Sequence, residues 1–326
     1  MTPTTLTPQI DFQPPTPMSH SETSGNSIRL GDWIFRGLTL LFALSILAIA
    51  AGMAWQLFHS SVLARRAFGW AFLGKKIWDP VAENFGALTF IYGTLVSSAL
   101  ALVIAVPLGI GIVIFLAELA PRRLSETCSF LIELLAAIPS VVYGLIGIFF
   151  LVPLMRQVVQ PTLAGTLGWL PLFQGPAYGV GMLSAGIVLA IMIVPFIATI
   201  SREVLLSTPR ELKESAMALG ATHWEVVRMT VLPYARAGIL GSIFLALGRA
   251  LGETMAVTMV IGNRPDISAS LFAPGYTMAA VIANEFTEAT SDLYVHTLIE
   301  IGLILFVITI LVNGIARLML LRLKTS

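Results

Sequence analysis

The sequence predicts an all-α integral membrane protein with six transmembrane helices. Apolar residues make up 56% of its 326 residues and charged residues only 11%, and the mean hydropathy is +0.87. A water-soluble fold cannot cover that much apolar surface, whereas helices that satisfy their own backbone hydrogen bonds can cross lipid. Six apolar segments each reach the roughly 20 residues that are needed to span the hydrocarbon layer.

The six predicted spans are not equally regular. They cover approximately residues 34–57, 87–117, 130–154, 178–201, 235–262 and 294–318. The third contains Pro139, a break that is tolerated where a helix faces other protein or a cavity. The region 153–177 is punctuated by proline and glycine and is predicted to be a loop or a re-entrant piece.

The first 86 residues are predicted to form three segments of different composition. Residues 1–30, rich in Thr, Pro and Ser, are predicted to be a disordered tail. Residues 31–60 are predicted to be the first transmembrane helix, because this run is too long and starts too late for a cleaved signal peptide. Residues 61–86 would form an extracytoplasmic loop. The single cysteine, Cys128, excludes an internal disulfide and is expected to be buried.

The distribution of basic residues predicts the orientation. With the amino terminus inside, most of the 19 Lys and Arg residues lie on the cytoplasmic side. Both termini and the loop 202–233 are therefore predicted to be cytoplasmic. Four tryptophans near helix ends are expected to anchor at the membrane interfaces: Trp33, Trp55, Trp70 and Trp78.

The polar segment 208–233, between the fourth and fifth spans, is the most informative part of the sequence. Thr208 is predicted to cap a helix that starts at Pro209, with Glu211 completing a capping box. Gly220 would then end this helix in the left-handed conformation.

A second short helix is predicted after the glycine. Thr222 and Glu225 form another capping box, and Pro233 is expected to end the helix. Membrane proteins rarely keep so regular a hydrophilic hairpin unless another protein binds it, so the segment predicts a docking site. An ordinary solvated hairpin is the alternative.

Two ionisable residues lie in the middle of the predicted fifth span. On one continuous helix, Arg249 and Glu253 would share a face one turn apart, and ionisable groups at such depth indicate a functional site. A guanidinium can hold a tetrahedral oxyanion through two parallel hydrogen bonds, and Glu253 would neutralise it when no anion is bound. Gly248 and Gly252 predict close helix packing. A purely structural ion pair is the alternative.

Other chemical sites are disfavoured. The segment Gly69–Lys76 resembles a phosphate-binding loop, but Lys76 stands where a Ser or Thr hydroxyl should hold magnesium. The four histidines share no metal-ligand spacing, so no metal site is predicted, and no nucleophile or carboxylate pattern indicates a catalytic residue. Glu118 is expected to pair with Arg122 or Arg123.

The polar hairpin resembles the cytoplasmic loop of ABC importer permeases. That pattern is Glu-Ala-Ala, three residues, Gly, nine residues, Ile, any residue, Leu-Pro. The positions that match are Glu214, Ala216, Gly220, Leu232 and Pro233, while Ser215 replaces the second Ala and Thr230 replaces the Ile.

Three further runs resemble the permease subunits of the phosphate-specific transport system. They are FGALTFIYGTLVSSALALVIAVPLGIGIVIFLAELAP, IPSVVYGLIGIFF and LGRALGETMAVTMVIGN. The form GRALGETMAV is similar to the PstC family rather than to the related PstA family. The resemblance extends from about residue 30 to residue 322.

The resemblance implies a fold and a set of partners. The fold would be the type I ABC importer permease fold, with its core at residues 87–320 and a cytoplasmic coupling loop at 202–233. A PstA-like permease would complete the channel, a PstB-like ATPase dimer would bind the cytoplasmic loops, and a PstS-like protein would deliver phosphate from outside. The chain would be a multi-pass protein of the bacterial inner membrane. It would hold no cofactor itself, because ATP and Mg²⁺ would belong to the ATPase.

The resemblance also implies roles for individual residues. In this family, charged residues of the fifth span are implicated in phosphate passage, so Arg249 and Glu253 would line the substrate path. Ala216 and Ala218 would allow close approach of the ATPase. The implied coupling residues are Pro209, Glu211, Glu214, Ser215, Ala216, Gly220, Leu232 and Pro233. The alternatives are a permease for molybdate, sulfate or phosphonate, or a secondary transporter, for which no convincing inverted repeat is visible.

Overall fold

The computed structural model describes residues 25–324, with side chains from residue 32 to residue 321. Residues 1–24, most of the predicted disordered tail, lie outside this part. Within it, all regular secondary structure is helical, apart from an isolated β-bridge between Asp79 and Asn84.

The α-helices are, in chain order, α1 Gly25–Ser60, α2 Val62–Phe68, α3 Ala71–Gly74, α4 Leu88–Ile114, α5 Arg122–Ala137, α6 Ser140–Ile146, α7 Val152–Leu154, α8 Gln160–Leu167, α9 Met182–Leu206, α10 Arg210–Ala218, α11 His223–Val226, α12 Leu232–Leu251, α13 Met255–Ile261, α14 Met278–Glu285 and α15 Asp292–Lys324.

Six stretches of the described residues are long and apolar enough to cross a membrane, which confirms the predicted number of spans. They are Asp32–Ser60, Leu88–Leu119, Ser140–Leu167, Met182–Leu206, His223–Leu251 and Asp292–Leu321. Several of these stretches join α-helices through π turns.

The chain divides into two compact units, residues 1–53 and 54–326. In the described part of the first unit, α1 carries an almost continuous surface of exposed apolar side chains, including Trp33 and Phe42. Such a helix cannot be stable in water on its own, and lipid is the solvent that suits it.

The second unit is organised around the contact between α4 and α9. Small residues allow this approach: a Cβ added to Gly186 of α9 would lie 2.5 Å from a methyl group of Leu100 on α4. Helix α12 packs on α9 with Ser201 and Ser242 joined by a hydrogen bond of 2.7 Å between their hydroxyls. These helices bring α6 and α13 into one apolar core.

Four π turns lie in the described residues, and a proline follows each at the same distance. They are Phe115–Leu119 before Pro121, Gly147–Leu151 before Pro153, Met155–Val159 before Pro161, and Val227–Val231 before Pro233. In each case the residue before the proline donates its N–H to the carbonyl five residues back. Proline has no N–H and its ring clashes with the carbonyl four residues back, so the wider turn accommodates it. The helix continues past Pro153, Pro161 and Pro233 in this way, whereas it ends at Leu119 ahead of Pro121, because Ala120 is extended.

The structure corrects two predictions about the third span. The region 153–177 is not a loop along its whole length, because π turns and short α-helices continue the third span to Leu167. The predicted bounds of that span, 130–154, are wrong as well. Helix α5 stops at Ala137 ahead of Pro139, and the spanning stretch starts at Ser140.

An aromatic cluster closes the end of the second unit at which α2 and α3 lie. We call this the opposite end, because the loop 202–233 lies at the other end of the bundle. Trp78 packs edge-on against Phe85 and Phe90, with ring centroids 4.8 and 4.7 Å apart. Its indole N–H donates to Glu285 at 2.8 Å, and the Tyr294 hydroxyl donates to the same oxygen. The prediction of Trp78 as an interfacial anchor is therefore wrong, whereas Trp33, Trp55 and Trp70 are largely exposed.

Two further residues differ from expectation. Cys128 is only partly buried. The segment Gly69–Lys76 forms a turn followed by α3, and Phe72 within it is fully buried in the aromatic cluster. That segment therefore contributes to the packing of the opposite end.

Candidate functional site

The polar segment between α9 and α12 folds as a helical hairpin, formed by α10 and α11. We call residues 208–231 the hairpin and the side of the bundle that carries it the hairpin end. The hydroxyl of Thr222 accepts from the N–H of Glu225, and the Glu225 carboxylate accepts from the N–H of Thr222 at 2.7 Å. This confirms the second predicted capping box.

The first predicted capping box is not formed. Pro209 is the N-cap of α10, which starts at Arg210, and no side chain caps it. Thr208 lies one residue too early, with its side chain buried and its hydroxyl without a hydrogen-bond partner among the described residues. The helix starts one residue later than predicted because Pro209 adopts ψ 135°, outside the helical region.

Gly220 ends α10 as predicted. It has φ +90°, and its N–H donates to the carbonyl of Met217, while Ala221 donates to Ala216. These two bonds form the Schellman motif, which requires a left-handed residue between the two helices. A side chain at residue 220 would meet no neighbour within 4 Å, so the backbone angle is the constraint at this position.

The hairpin exposes large apolar side chains beside its polar ones. Leu219 at the turn is 89% exposed, and Leu212, Met217 and Trp224 are exposed as well. Glu211, Glu214 and Ser215, which are predicted to be coupling residues, share this exposed surface. Ala216 packs partly against the apolar core of the hairpin end. Exposed apolar groups with a polar rim are typical of a protein-binding surface.

A partly buried ion pair joins the hairpin to the second span. The ammonium of Lys213 on α10 lies 2.6 Å from a carboxylate oxygen of Glu118, in the π turn that ends the span. The prediction that Glu118 pairs with Arg122 or Arg123 is wrong. Arg122 pairs with Glu126, four residues along α5 and at 2.8 Å, because this spacing places the two side chains on one helix face.

Pro233 does not end the second hairpin helix. Helix α11 continues through the π turn Val227–Val231 into α12, so one hydrogen-bonded stretch runs from His223 to Leu251. The hairpin is thus continuous with the fifth span, and Leu232 and Pro233 lie within that stretch.

The fifth span breaks beside its two ionisable residues. Arg249 is in the last turn of α12, which ends at Leu251, whereas Glu253 lies in the short connection before α13. The prediction that both share one helix face is therefore wrong. A Glu253 carboxylate oxygen accepts from the N–H of Ala256 in the first turn of α13 at 3.2 Å. Arg249 and Glu253 form no ion pair in the described structure.

The Arg249 guanidinium lies against an aromatic ring. Its Cζ is 5.7 Å from the ring centroid of Phe196 on α9, within the range of a cation–π interaction. Arg249 also interacts electrostatically with Tyr143 on α6, whose hydroxyl donates to the carbonyl of Leu135 at 2.7 Å. Three helices therefore meet around the guanidinium, which is partly exposed.

The two glycines that flank Arg249 differ. Gly248 faces α15, where an added Cβ would lie 3.7 Å from the side-chain oxygen of Asn313. Gly252 is exposed at the end of α12, and a Cβ added there would meet no atom of another helix within 4 Å. The predicted small-residue seam is thus present at one glycine only within this chain. No group of three or more His, Cys, Asp or Glu residues within the described range could hold a metal ion.

The sequence predicts the hairpin and points to Arg249, but it does not indicate Phe196 or the pairing of Lys213 with Glu118. Lys213 and Glu118 lie 95 residues apart in the sequence, and nothing in that spacing indicates their pairing. Phe196 is one of many phenylalanines in the spans, and only the crossing of α9 and α12 gives it a cationic neighbour.

Comparisons with known proteins bear directly on this arrangement. The family described as "Binding-protein-dependent transport system inner membrane component" matches residues 106–325. The chain is 51% identical to "Phosphate transport system permease protein PstC" of Mesorhizobium japonicum, over 94% of this chain and 95% of that one. The chain belongs to the PstC family. It is 47% identical to the PstC of Pasteurella multocida, over 94% of this chain and 97% of the relative.

Solved structures support the same fold for this PstC-family chain. A permease chain of a bacterial alginate ABC transporter matches with a TM-score of 0.60 at 15% identity, over 90% of this chain and 96% of that one. A chain of the MetNI methionine ABC transporter matches with a TM-score of 0.52 at 20% identity, over 73% and 94%. The predicted type I ABC importer permease fold is confirmed. The hairpin and Arg249 both lie inside the region that defines the family.

Proposed function

We propose that the chain is the translocation subunit of an ATP-driven importer that moves inorganic phosphate across the bacterial plasma membrane. Curated relatives that match nearly the whole chain are named as phosphate transport permeases. The chain itself binds no cofactor in this proposal. ATP and Mg²⁺ are held by a separate PstB-like ATPase dimer, which hydrolyses ATP.

The observation that carries this proposal is the exposed apolar surface of a charged hairpin that continues directly into a membrane span. Leu212, Leu219 and Trp224 would be buried by a soluble partner, and the charged residues around them would form its polar rim. The partner that fits an importer is the ATPase. Its closure would move the hairpin, and with it the stretch that ends beside Arg249.

The substrate side of the proposal rests on Arg249. A guanidinium in a membrane span is costly in free energy, so its presence there indicates a functional site. Arg249 forms no ion pair with a described carboxylate. Its planar fork suits the tetrahedral oxygens of phosphate. Glu253 has a different part in this proposal: it fixes the start of α13 beside the path.

The remaining partners and the orientation follow from the same proposal. A PstA-like permease completes the channel, and a PstS-like binding protein delivers phosphate at the opposite end. The hairpin end and both termini face the cytoplasm, because the ATPase and its ATP are there. The excess of Lys and Arg on that side supports this orientation.

Reconstitution of the complete complex in vesicles tests the proposal. The chain, its second permease, the ATPase and the binding protein are purified together. Uptake of radiolabelled phosphate is then measured with and without ATP inside the vesicles. We expect uptake that requires both ATP and the binding protein, together with phosphate-stimulated ATP hydrolysis.

Sulfate and molybdate serve as competing oxyanions in the same vesicles. Uptake of one of these in preference to phosphate would refute the proposed substrate while leaving the importer class intact. Uptake of phosphate without ATP, driven by an ion gradient, would refute the importer class itself.

A further inference from the structure

We propose that Phe196 is the positioning residue for Arg249, holding the guanidinium by its face so that its edge stays free for the anion. This inference rests on the proposed function of Arg249 as the anion-binding group of the path. It concerns a residue that no spacing or motif in the sequence distinguishes.

Packing fixes the position of the ring. Phe196 lies on α9 directly after Pro195, and the antiparallel crossing of α9 and α12 is set nearby by the hydrogen bond between Ser201 and Ser242. Phe196 is about one and a half turns from Ser201, and Arg249 is two turns from Ser242 in the matching direction. The crossing therefore brings the ring and the guanidinium side by side, with 5.7 Å between Cζ and the ring centroid.

Glu253, the carboxylate nearest to Arg249 in the sequence, forms its hydrogen bond with another group. Glu253 lies beyond the end of α12, and one of its oxygens accepts the N–H of Ala256 at 3.2 Å. No carboxylate of the described residues forms an ion pair with Arg249. A ring stabilises a positive charge through its electron-rich face without neutralising it.

The geometry of a guanidinium makes the two interactions compatible. Its five N–H groups point outward in the plane of the group and bind an oxyanion edge-on, whereas an aromatic ring packs against the flat face. A carboxylate partner would compete with phosphate for the same N–H groups. The ring does not compete, and it removes much of the rotamer freedom that Arg249 would otherwise lose on binding the anion.

Tyr143 completes the surroundings of the guanidinium. Its hydroxyl hydrogen is donated to the carbonyl of Leu135, so the hydroxyl presents only lone pairs to other groups. It therefore has no donor left for an anion. This leaves Arg249 as the donor in these surroundings, with Phe196 as the ring that positions it.

Substitutions of Phe196 in the reconstituted complex test the inference. Phe196→Leu keeps an apolar side chain but removes the ring, and Phe196→Tyr and Phe196→Trp keep a ring face. We expect the leucine variant to lower the efficiency of phosphate uptake about three- to tenfold, as the loss of one cation–π contact predicts. The tyrosine and tryptophan variants should stay within about twofold of the parent. Phe42→Leu, the same change on the exposed surface of α1, is the matched control and should have no effect.

A double-mutant cycle separates positioning from packing. In an Arg249→Met background, Phe196→Leu should cause no further loss of residual uptake, because the ring would have nothing to position. An equal loss in both backgrounds, or an uptake rate for Phe196→Leu equal to that of the parent, would overturn the inference. If the parent complex transports sulfate or molybdate in place of phosphate, the uptake of that anion is measured for the same double-mutant cycle. The proposed substrate would then be wrong, and the role of Phe196 would still be decided.

Discussion

Lys213 and Glu118 lie 95 residues apart in the sequence and form an ion pair of 2.6 Å at the hairpin end. Their side chains are only 18% and 12% exposed. This contact ties the first helix of the hairpin to the end of the second span. A force on α10 therefore acts on α4 as well as on the fifth span.

The first prediction concerns this pair. Lys213→Met or Glu118→Gln alone leaves one charged partner in a mostly enclosed place, at a cost on the order of 2 kcal/mol in stability. We expect each single variant to lower the midpoint of thermal unfolding in detergent and to reduce phosphate-stimulated ATP hydrolysis. The exchanged pair Glu118→Lys with Lys213→Glu should recover part of both. Arg122→Met, which breaks the exposed pair with Glu126, is the control and should leave both measurements unchanged.

The second prediction compares the two threonines of the hairpin. Thr222→Val removes the acceptor of a formed capping box and should cost about 1 kcal/mol of helix stability. Thr208→Val replaces a buried hydroxyl that has no partner in the described structure, so it should be neutral or slightly stabilising. Hydrogen exchange of the backbone amides from His223 to Val226 provides the measurement. Equal protection loss in both variants would contradict the assignment of the caps.

The third prediction tests the turn between α10 and α11. At φ +90° a β-branched residue is strained, so Gly220→Val should destabilise the turn by about 1–2 kcal/mol. Because a side chain there meets no neighbour, the protein should still reach the membrane, while uptake and ATP hydrolysis become uncoupled. Gly220→Asn tolerates the left-handed region and should retain most coupling. Gly314→Ala, at a helical glycine with open space around it, is the control.

The fourth prediction separates the roles of Arg249 and Glu253. Arg249→Lys keeps the charge but loses the planar fork, so assembly should be normal and phosphate uptake strongly reduced. Glu253→Gln keeps an oxygen that can accept the Ala256 N–H, so it should transport nearly as well as the parent, whereas Glu253→Leu should not. If Glu253→Gln were as inactive as Arg249→Lys, the carboxylate charge would be needed and the capping role would be insufficient.

The fifth prediction is a pH dependence at the opposite end. Burial raises the pKa of the Tyr276 hydroxyl above its ordinary value of 10.0, and this hydroxyl accepts a hydrogen bond from Asn284 at 3.1 Å. The unfolded chain loses this proton near pH 10 while the folded chain keeps it, so stability should fall as the pH rises above 10. Thermal unfolding of the parent and of Tyr276→Phe between pH 8 and pH 11 gives the measurement. The phenylalanine variant should lose less stability over this window.

The sequence predicted the class of fold and the number of spans because both depend on apolar length, which is a local property. It also located the hairpin, since caps and left-handed glycines act over a few residues. The opposite-end cluster was missed because it brings Trp78 together with Glu285, and such a contact depends on how the helices pack.

Prolines account for most of the errors at helix boundaries. Proline typically ends a helix, so the sequence predicts a helix end at Pro233 and a loop at Pro153 and Pro161, yet the helix passes each of them through a π turn. The break in the fifth span, after Leu251, contains no proline at all. It lies at Gly252, which caps the end of α12, and Glu253 follows in the connection before α13. The i, i+4 spacing of Arg249 and Glu253 predicts a continuous helix face there instead.

The unbroken backbone from His223 to Leu251 spans 29 residues, or about 43 Å at 1.5 Å per residue. A continuous helix is stiff along its axis, so a displacement of one end moves the other end by nearly the same amount. The helix ends at the connection Gly252–Thr254, about one turn from the Arg249 guanidinium, and the chain can change direction there. In the proposed importer, binding of a nucleotide by the ATPase would thus change the tilt of Arg249 within the membrane.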